Sequence, residues 1–269
     1  MKTPLISSNI WLQSGILMVY GAALDAALHK HHVIQIVCPT GKSRCTLKDN
    51  EVNGAVIINS QIQHQLTMES GWVILVEPQS DFGQELSEQL KLNPTDGKDK
   101  TAAEILDFLP LPGLMLIPAT SFADQTAHLQ NYTATLNTLL TTLGLAIDLS
   151  IYAHSASLTD KRIQTLLNDL DNCLISDCLK PSHWAAAEVA SQLALSEGRF
   201  LHLFREQMGI AWRPYLLWRR MICAISAMMK GRSATEAAYI AGFSDSSHLS
   251  RTFRTHFGMS IRDAQALIK

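Results

Sequence analysis

The sequence predicts an α+β protein built from two unlike parts. An N-terminal antiparallel β-barrel with flanking helices is followed by an all-α C-terminal domain, in which a connecting helix joins two helix-turn-helix units. Three observations predict this. Short β-rich runs alternate with turn residues through the first part of the chain, at the spacing of a sandwich or barrel. A helical pattern near the C-terminus occurs twice. The formal charge of −2 conceals a split: residues 1–160 carry 8 Lys/Arg against 15 Asp/Glu, a net of −7, and residues 161–269 carry 14 against 9, a net of +5. A basic C-terminal part on an acidic protein suits a polyanionic partner.

The expected strands are Gly15–Tyr20, Val33–Cys38, Arg44–Leu47, Ala55–Asn59 and Trp72–Glu77, all rich in β-formers. Pro39–Thr40–Gly41, Asp49–Asn50, Asn53–Gly54 and Glu69–Ser70–Gly71 supply the turns between them. Alternation places Ile34, Ile36 and Cys38 on one face, with Val33, Gln35 and Val37 on the other. Phe82–Leu92 reads as a helix with Phe82, Leu86 and Leu90 on one side, and residues 93–100 as a polar loop. From His128 to Ile147 the chain is free of charge, and Leu129, Tyr132, Leu136, Leu139, Leu143 and Ala146 recur at alternating threes and fours. That seam suits a helix–helix contact, either with the chain's own barrel or with a second copy. The Thr-rich opposite face argues against a membrane span.

Ser155–Ala156–Ser157 is the linker candidate, and Thr159–Asp160 a helix start. The expected domains are 1–155, with the barrel over about 1–80 and helices over about 81–150, and 156–269. Five cysteines without C-x-x-C spacing argue against a disulfide framework or zinc finger and fit a reducing cytoplasm. The apolar stretch Gly15–Leu28 is interrupted by Tyr20 and Asp25, which argues against secretion.

The repeat pairs EVASQLALS (Glu188–Ser196) with EAAYIAGFS (Glu236–Ser244), and FREQMGIA (Phe204–Ala211) with FRTHFGMS (Phe253–Ser260). Each copy has a small residue at a helix crossing (Ala190, Ala238), an inward Phe and a closing glycine (Gly209, Gly258), as a helix-turn-helix requires. The units span about 184–209 and 233–258. A helix over Pro214–Lys230, with Leu217, Met221, Ile225 and Met228 as its core stripe, would hold the two at a fixed separation. Two reading heads about 34 Å apart could then enter successive major grooves.

The stretch LS-x-x-RF-x-x-LF-x4-G-x3-PYL-x-x-RR from Leu195 to Arg220, and A-x-x-x-GFSDSSHLSRTFRTHFG from Ala238 to Gly258, resemble the two halves of the AraC/XylS family DNA-binding domain. The resemblance covers about 110 residues, and it implies double-stranded DNA as a partner. Carried over position by position, it makes Ser246, Ser247 and Arg251 base readers, with Arg254 and His248 toward phosphates. In the first unit His202 is the reader, helped by Arg199 and Arg205, and reading there is expected to be weaker. Phe204, Phe253, Leu203 and Leu249 are core. Ile261 stands where the family usually has Pro, so the last helix is expected to start differently.

The strand-rich half resembles the cupin-like sensor barrel that often precedes such a domain. Its candidate effector-pocket residues are His29, His31, Gln35 and His64. Catalytic cupins place a similar His-x-His, a Glu and a later His around a metal; here Gln35 replaces the Glu. The site is read without a metal or cofactor, with His29, His31 and His64 as the candidate ligands otherwise. The function expected is a sequence-specific transcriptional activator, not an enzyme. It would answer a small-molecule effector in the barrel, with RNA polymerase and a second copy of the chain as further partners. The alternatives are a metal-dependent cupin enzyme fused to a DNA-binding tail and a constitutive DNA-binding dimer.

Overall fold

The computed structural model describes residues 10–13, 15–39, 41–47, 50–92, 108–110, 158–175 and 184–268. The expected seam over 128–147, the loop 93–100 and the linker at 155–157 lie outside them. The described residues divide into two compact units. One holds the strands and the helix that follows them, together with Arg254–Lys269, and the other holds the helices between Ala153 and Phe253.

The strand unit is a curled antiparallel sheet. Its strands are β1 Ile10–Gln13, β2 Ile16–His29, β3 Ile34–Pro39, β4 Ser43–Leu47, β5 Asn50–Val52, β6 Val56–Ile58, β7 His64–Val76 and β8 Phe108–Pro110. They run in the order β1-β2-β7-β3-β6-β8, with β4 between β5 and β7. The 13-residue β7 is the spine: β2 follows nearly its whole length, while β4 takes 64–68 and β3 takes 71–76 on its other edge. The change of partner falls at Gly71, where a Cβ would lie 2.5 Å from the Cys38 carbonyl oxygen; only glycine lets β3 come so close.

β2 and β7 are both far longer than the expected Gly15–Tyr20 and Trp72–Glu77. Every residue of β3 from Ile34 to Pro39 is buried, so both of its alternating faces are covered. Polar Gln35 is therefore enclosed as fully as its apolar neighbours. Helix α1 (Asp81–Leu92) begins where Ser80 Oγ accepts the Gly83 amide at 3.0 Å, and it buries Phe82 and Leu86.

The helical unit begins with α2 (Lys161–Ile175), capped by Asp160, whose Oδ1 accepts the Arg162 amide at 2.9 Å. Helices α3 (Ala186–Gln192), α4 (Glu197–Met208), α5 (Trp212–Met229), α6 (Ala234–Ile240) and α7 (Ser246–Phe257) follow, and α8 (Ile261–Ile268) ends the fold. α5 is the expected connecting helix, but its stripe is wider than expected. Tyr215, Leu216 and Trp218 are buried as well as Met221, Ile225 and Met228, and Leu217 is only half-buried.

Around the start of α5, Phe204, Trp212 and Tyr215 meet edge to face or tilted, with ring centroids 5.0 Å and 5.3 Å from Phe204. Arg219, 4% exposed, donates to Asp171 of α2 at 2.6 Å, so the ion pair bolts α2 to α5. Cys223 is disulfide-bonded, against the reducing setting that the cysteine count suggested, while Cys38 and Cys45 are free and buried. Among the described residues no helix is long and apolar enough to cross a membrane.

Candidate nucleic-acid interface and sensor cluster

In the second helix-turn-helix unit, Ser233 and Glu236 form a reciprocal capping box that starts α6. Ala237 and Ala238 are fully buried, so the next helix can approach closely. The turn passes through Gly242 at φ +80°. Asp245 then caps α7, accepting the His248 amide at 2.7 Å, and that bond holds its carboxyl below the usual range. Asp245 was not among the expected site residues, although an Asp before a helical run is a readable cap signal.

Leu249 and Phe253 are the buried anchors of α7. Its opposite face presents Ser247, Arg251 and Arg254 to solvent, with Ser246 and His248 half-buried. His248 packs edge to face on Phe243, and its Nδ1 lies 3.2 Å from Ser244 Oγ. The exposed N-terminal face of α7 can thus offer hydroxyl and guanidinium donors to a groove.

The first unit repeats the plan with different chemistry. Ser196 caps α4 by accepting the Arg199 amide, and Phe200, Leu203, Phe204 and Met208 anchor it. Arg199, His202 and Arg205 are exposed, as expected, but Glu197 and Glu206 stand exposed among them. The turn places Ala194, not glycine, at φ +54°. The start of α8 is also explained: Ser260 accepts the Asp263 amide, and Asp263 accepts from the Ser260 amide and hydroxyl, so a cap replaces the family's proline.

In the strand unit His29 closes β2 and His64 opens β7, directly opposite one another in the register. His31 and His32 sit in the turn before β3. His29, His31 and His64 are buried, and one nitrogen from each lies within 4.8 Å of the others. Their rings are 4.2–5.5 Å apart. Gln35 Oε1 lies 2.9 Å from His31 Nε2 and 3.3 Å from His64 Nε2. All four expected pocket residues are therefore together. Burial lowers the pKa of each imidazole, to about 4 for His31 and about 3 for His64 and His32.

Next to this cluster β2 pairs irregularly between Ala26 and His29, which leaves Ala27 out of the ladder with β7. The Ala27 amide instead donates to the Gly258 carbonyl at 2.9 Å, and the Ala27 carbonyl accepts from His29 Nδ1 at 2.8 Å. Elsewhere on the sheet a groove of about 880 Å³ is lined by Leu24, Asp25, Lys42, Arg44, Met68 and Glu69 among others, and by none of the three histidines.

An exposed donor face at the start of α7, over a packed crossing of the repeated kind, defines a DNA-binding transcriptional regulator. Residues 189–266 match the family model of a helix-turn-helix domain, over the stretch that resembles the AraC/XylS type. The chain is 24% identical over 247 residues to the probable transcriptional regulator LumQ of Photobacterium leiognathi, covering 90% of this chain and 92% of the relative. In fold it is similar to a ligand-free lysine-to-alanine variant of ToxT from Vibrio cholerae. That likeness has a TM-score of 0.51 at 12% identity, across 96% of this chain and 99% of that one.

Proposed function

We propose that this chain recognises its operator mainly through α7, with α4 gripping phosphate, and that the strand unit senses a small effector. The observation that carries the reading is the face of α7: Leu249 and Phe253 are buried on one side, and Ser247, Arg251 and Arg254 are exposed on the other. Arg251, with Ser246 and Ser247 before it, would contact base edges; Arg254, His248, Arg199 and Arg205 would contact backbone, and His202 is the single reader of α4. In this reading 1–155 senses and 156–269 binds DNA.

The protein would act in the cytoplasm as an activator that contacts RNA polymerase. It would pair through Leu129–Leu143, so Leu136→Glu should give a folded monomer with weak half-site binding. The buried cluster of His29, His31, Gln35 and His64 is the sensing centre, and catalysis is not part of the reading. A constitutive DNA-binding dimer would instead show no effect of any effector on DNA affinity.

The test is binding to a selected DNA site and to random DNA across a salt series. Arg205→Ala or Arg254→Ala should weaken both and shallow the salt dependence by about one counterion. Arg251→Ala should weaken the selected site alone; equal loss on both DNAs removes Arg251 from base reading.

A further inference from the structure

We propose that His29, His31, His64 and Gln35 form a binding site for one divalent transition-metal ion of the zinc class, and that its capture is reported to α7 through Ala27 and Gly258. This deepens the sensing role proposed above by naming the ligand, and it rests on that role only for its reporting half.

The chemistry of the donors carries the first half. Each histidine directs Nδ1 at a main-chain carbonyl: His29 at Ala27, His31 at Val33 and His64 at Ile62, at 2.8–2.9 Å. A carbonyl oxygen can only accept, so each Nδ1 carries the proton. A neutral imidazole protonated there keeps a lone pair at Nε2. Gln35 Oε1, a further acceptor, faces two of those lone pairs. With its oxygen turned this way, Gln35 sets acceptor against acceptor, an arrangement that a metal ion between them would satisfy. A metal ion fits such a centre because it accepts lone pairs and brings no hydrogen.

The carbonyl bonds at Nδ1 also do what the outer partners of ligating histidines do: they fix the tautomer and aim the ring. In a metal-free chain the Gln35 amide can turn over and donate its NH₂ to His31 and His64, because its two ends are nearly equal in shape. Three imidazoles and an amide oxygen make an N₃O set suited to zinc-like ions and poor for calcium or magnesium, which prefer all-oxygen ligands.

The second half follows from distance. Nitrogens bound tetrahedrally at about 2.1 Å from one ion stand about 3.4 Å apart. One nitrogen of each ring lies within 4.8 Å of the others, so a bound ion that fixes them at tetrahedral spacing would set the position of each ring. His29 cannot move without Ala27, whose carbonyl it holds, and the Ala27 amide holds the Gly258 carbonyl. Gly258 closes α7 at φ +66°, and a Cβ on it would lie 2.2 Å from the Ala27 oxygen and 2.8 Å from His29 Nδ1. Residues 254–269 belong to the same compact unit as these strands, so the path stays within one unit up to the last turn of α7. The two states of the cluster therefore present different main-chain positions to the end of α7. That is the differential affinity a metal effector needs.

The test uses the full chain, stripped of metal with a chelator. Zn²⁺ alone is titrated by calorimetry, Co²⁺ binding is followed by its visible ligand-field absorption, and DNA affinity is measured with and without Zn²⁺. One ion per chain is expected, with a Co²⁺ spectrum of tetrahedral type. His31→Ala and His64→Ala should each weaken Zn²⁺ by about 100-fold or more.

Gln35→Glu separates a metal site from a packed hydrogen-bonded cluster, and it serves even if the alanine variants fail to fold. A carboxylate cannot donate to the imidazoles, so the melting temperature should fall without metal and rise above wild type with it. A folded wild type that takes up no Zn²⁺, or a Gln35→Glu chain that Zn²⁺ does not restore, overturns the metal site. Uptake of Zn²⁺ with unchanged DNA affinity overturns the reporting half. A chain that binds Zn²⁺ but no DNA in either state overturns the regulatory reading and leaves the metal site standing.

Discussion

α4 and α7 are the same device built twice with different chemistry. Both are twelve residues long, both keep Phe–Arg at matching places, and both end at a glycine with φ +66°. α4 carries Glu197, Arg199, Arg205 and Glu206, which sum to zero; α7 carries Arg251 and Arg254 with no acid, which sum to +2. The anchoring runs the opposite way. α4 buries four large side chains against α2, α3 and α5, while α7 buries Leu249 and Phe253. The first copy is the more heavily anchored and the second the more cationic, on two helices of matching length and ending.

The comparison can be tested on both sides. The largest expected effect is on the anchoring of the first unit. Asp171→Leu leaves the buried Arg219 guanidinium without its carboxylate and should cost about 3–5 kcal/mol by calorimetry. A loss below 1 kcal/mol, on the order of a surface ion pair, would mean α2 does not anchor this unit.

The two closing glycines come next. Gly209→Ala meets open space and should cost only the left-handed backbone penalty of about 1 kcal/mol. Gly258→Ala should cost about 2–4 kcal/mol, because its Cβ runs into the Ala27 carbonyl. Equal costs would mean that the Ala27 contact does not constrain the end of α7.

On DNA, Arg251→Ala should lose about 1–3 kcal/mol of specific binding, and His202→Ala, at the matching place on α4, less than about 1 kcal/mol. Competition binding against point-mutated sites measures both; the reverse order would make α4 the better reader. The smallest effect concerns the turns. Ala194→Gly should stabilise by about 1 kcal/mol and Gly242→Ala destabilise by a similar amount, since both positions have positive φ. Opposite signs in urea melts are the expected result.

The repeat was legible because its signals are local: a small residue at a crossing, a Phe eight positions beyond the cap, a glycine at the C-terminus. The long strands were less so. The second half of β2, Gly21–His29, lacks β-branched residues altogether, and only its partner β7 holds it extended. β5 and β8 are three residues each, too short for any period to appear. The three histidines and Gln35 came from the cupin resemblance, and the structure folds His29-x-His31 across a bulge and a turn. The approach of Gly258 to Ala27 joins residues more than two hundred apart, and no local pattern encodes it. Gly258 read correctly as a helix end, which explained it sufficiently without the strand.

The aromatic group around Trp212 also decides what light can report about this molecule. Of the five tryptophans, Trp184, Trp212 and Trp218 lie in or beside the first helix-turn-helix unit, and Trp11 and Trp72 lie in the strands. Residues 233–269 contain none. Tyr215, tilted against Trp212 at 6.4 Å, will pass its excitation to the indole, so intrinsic emission follows the anchoring half and, through Trp11 and Trp72, the strands. The half proposed to read DNA is optically dark. Tyr239, 60% exposed on α6, is where a single tryptophan would light it with little disturbance to packing.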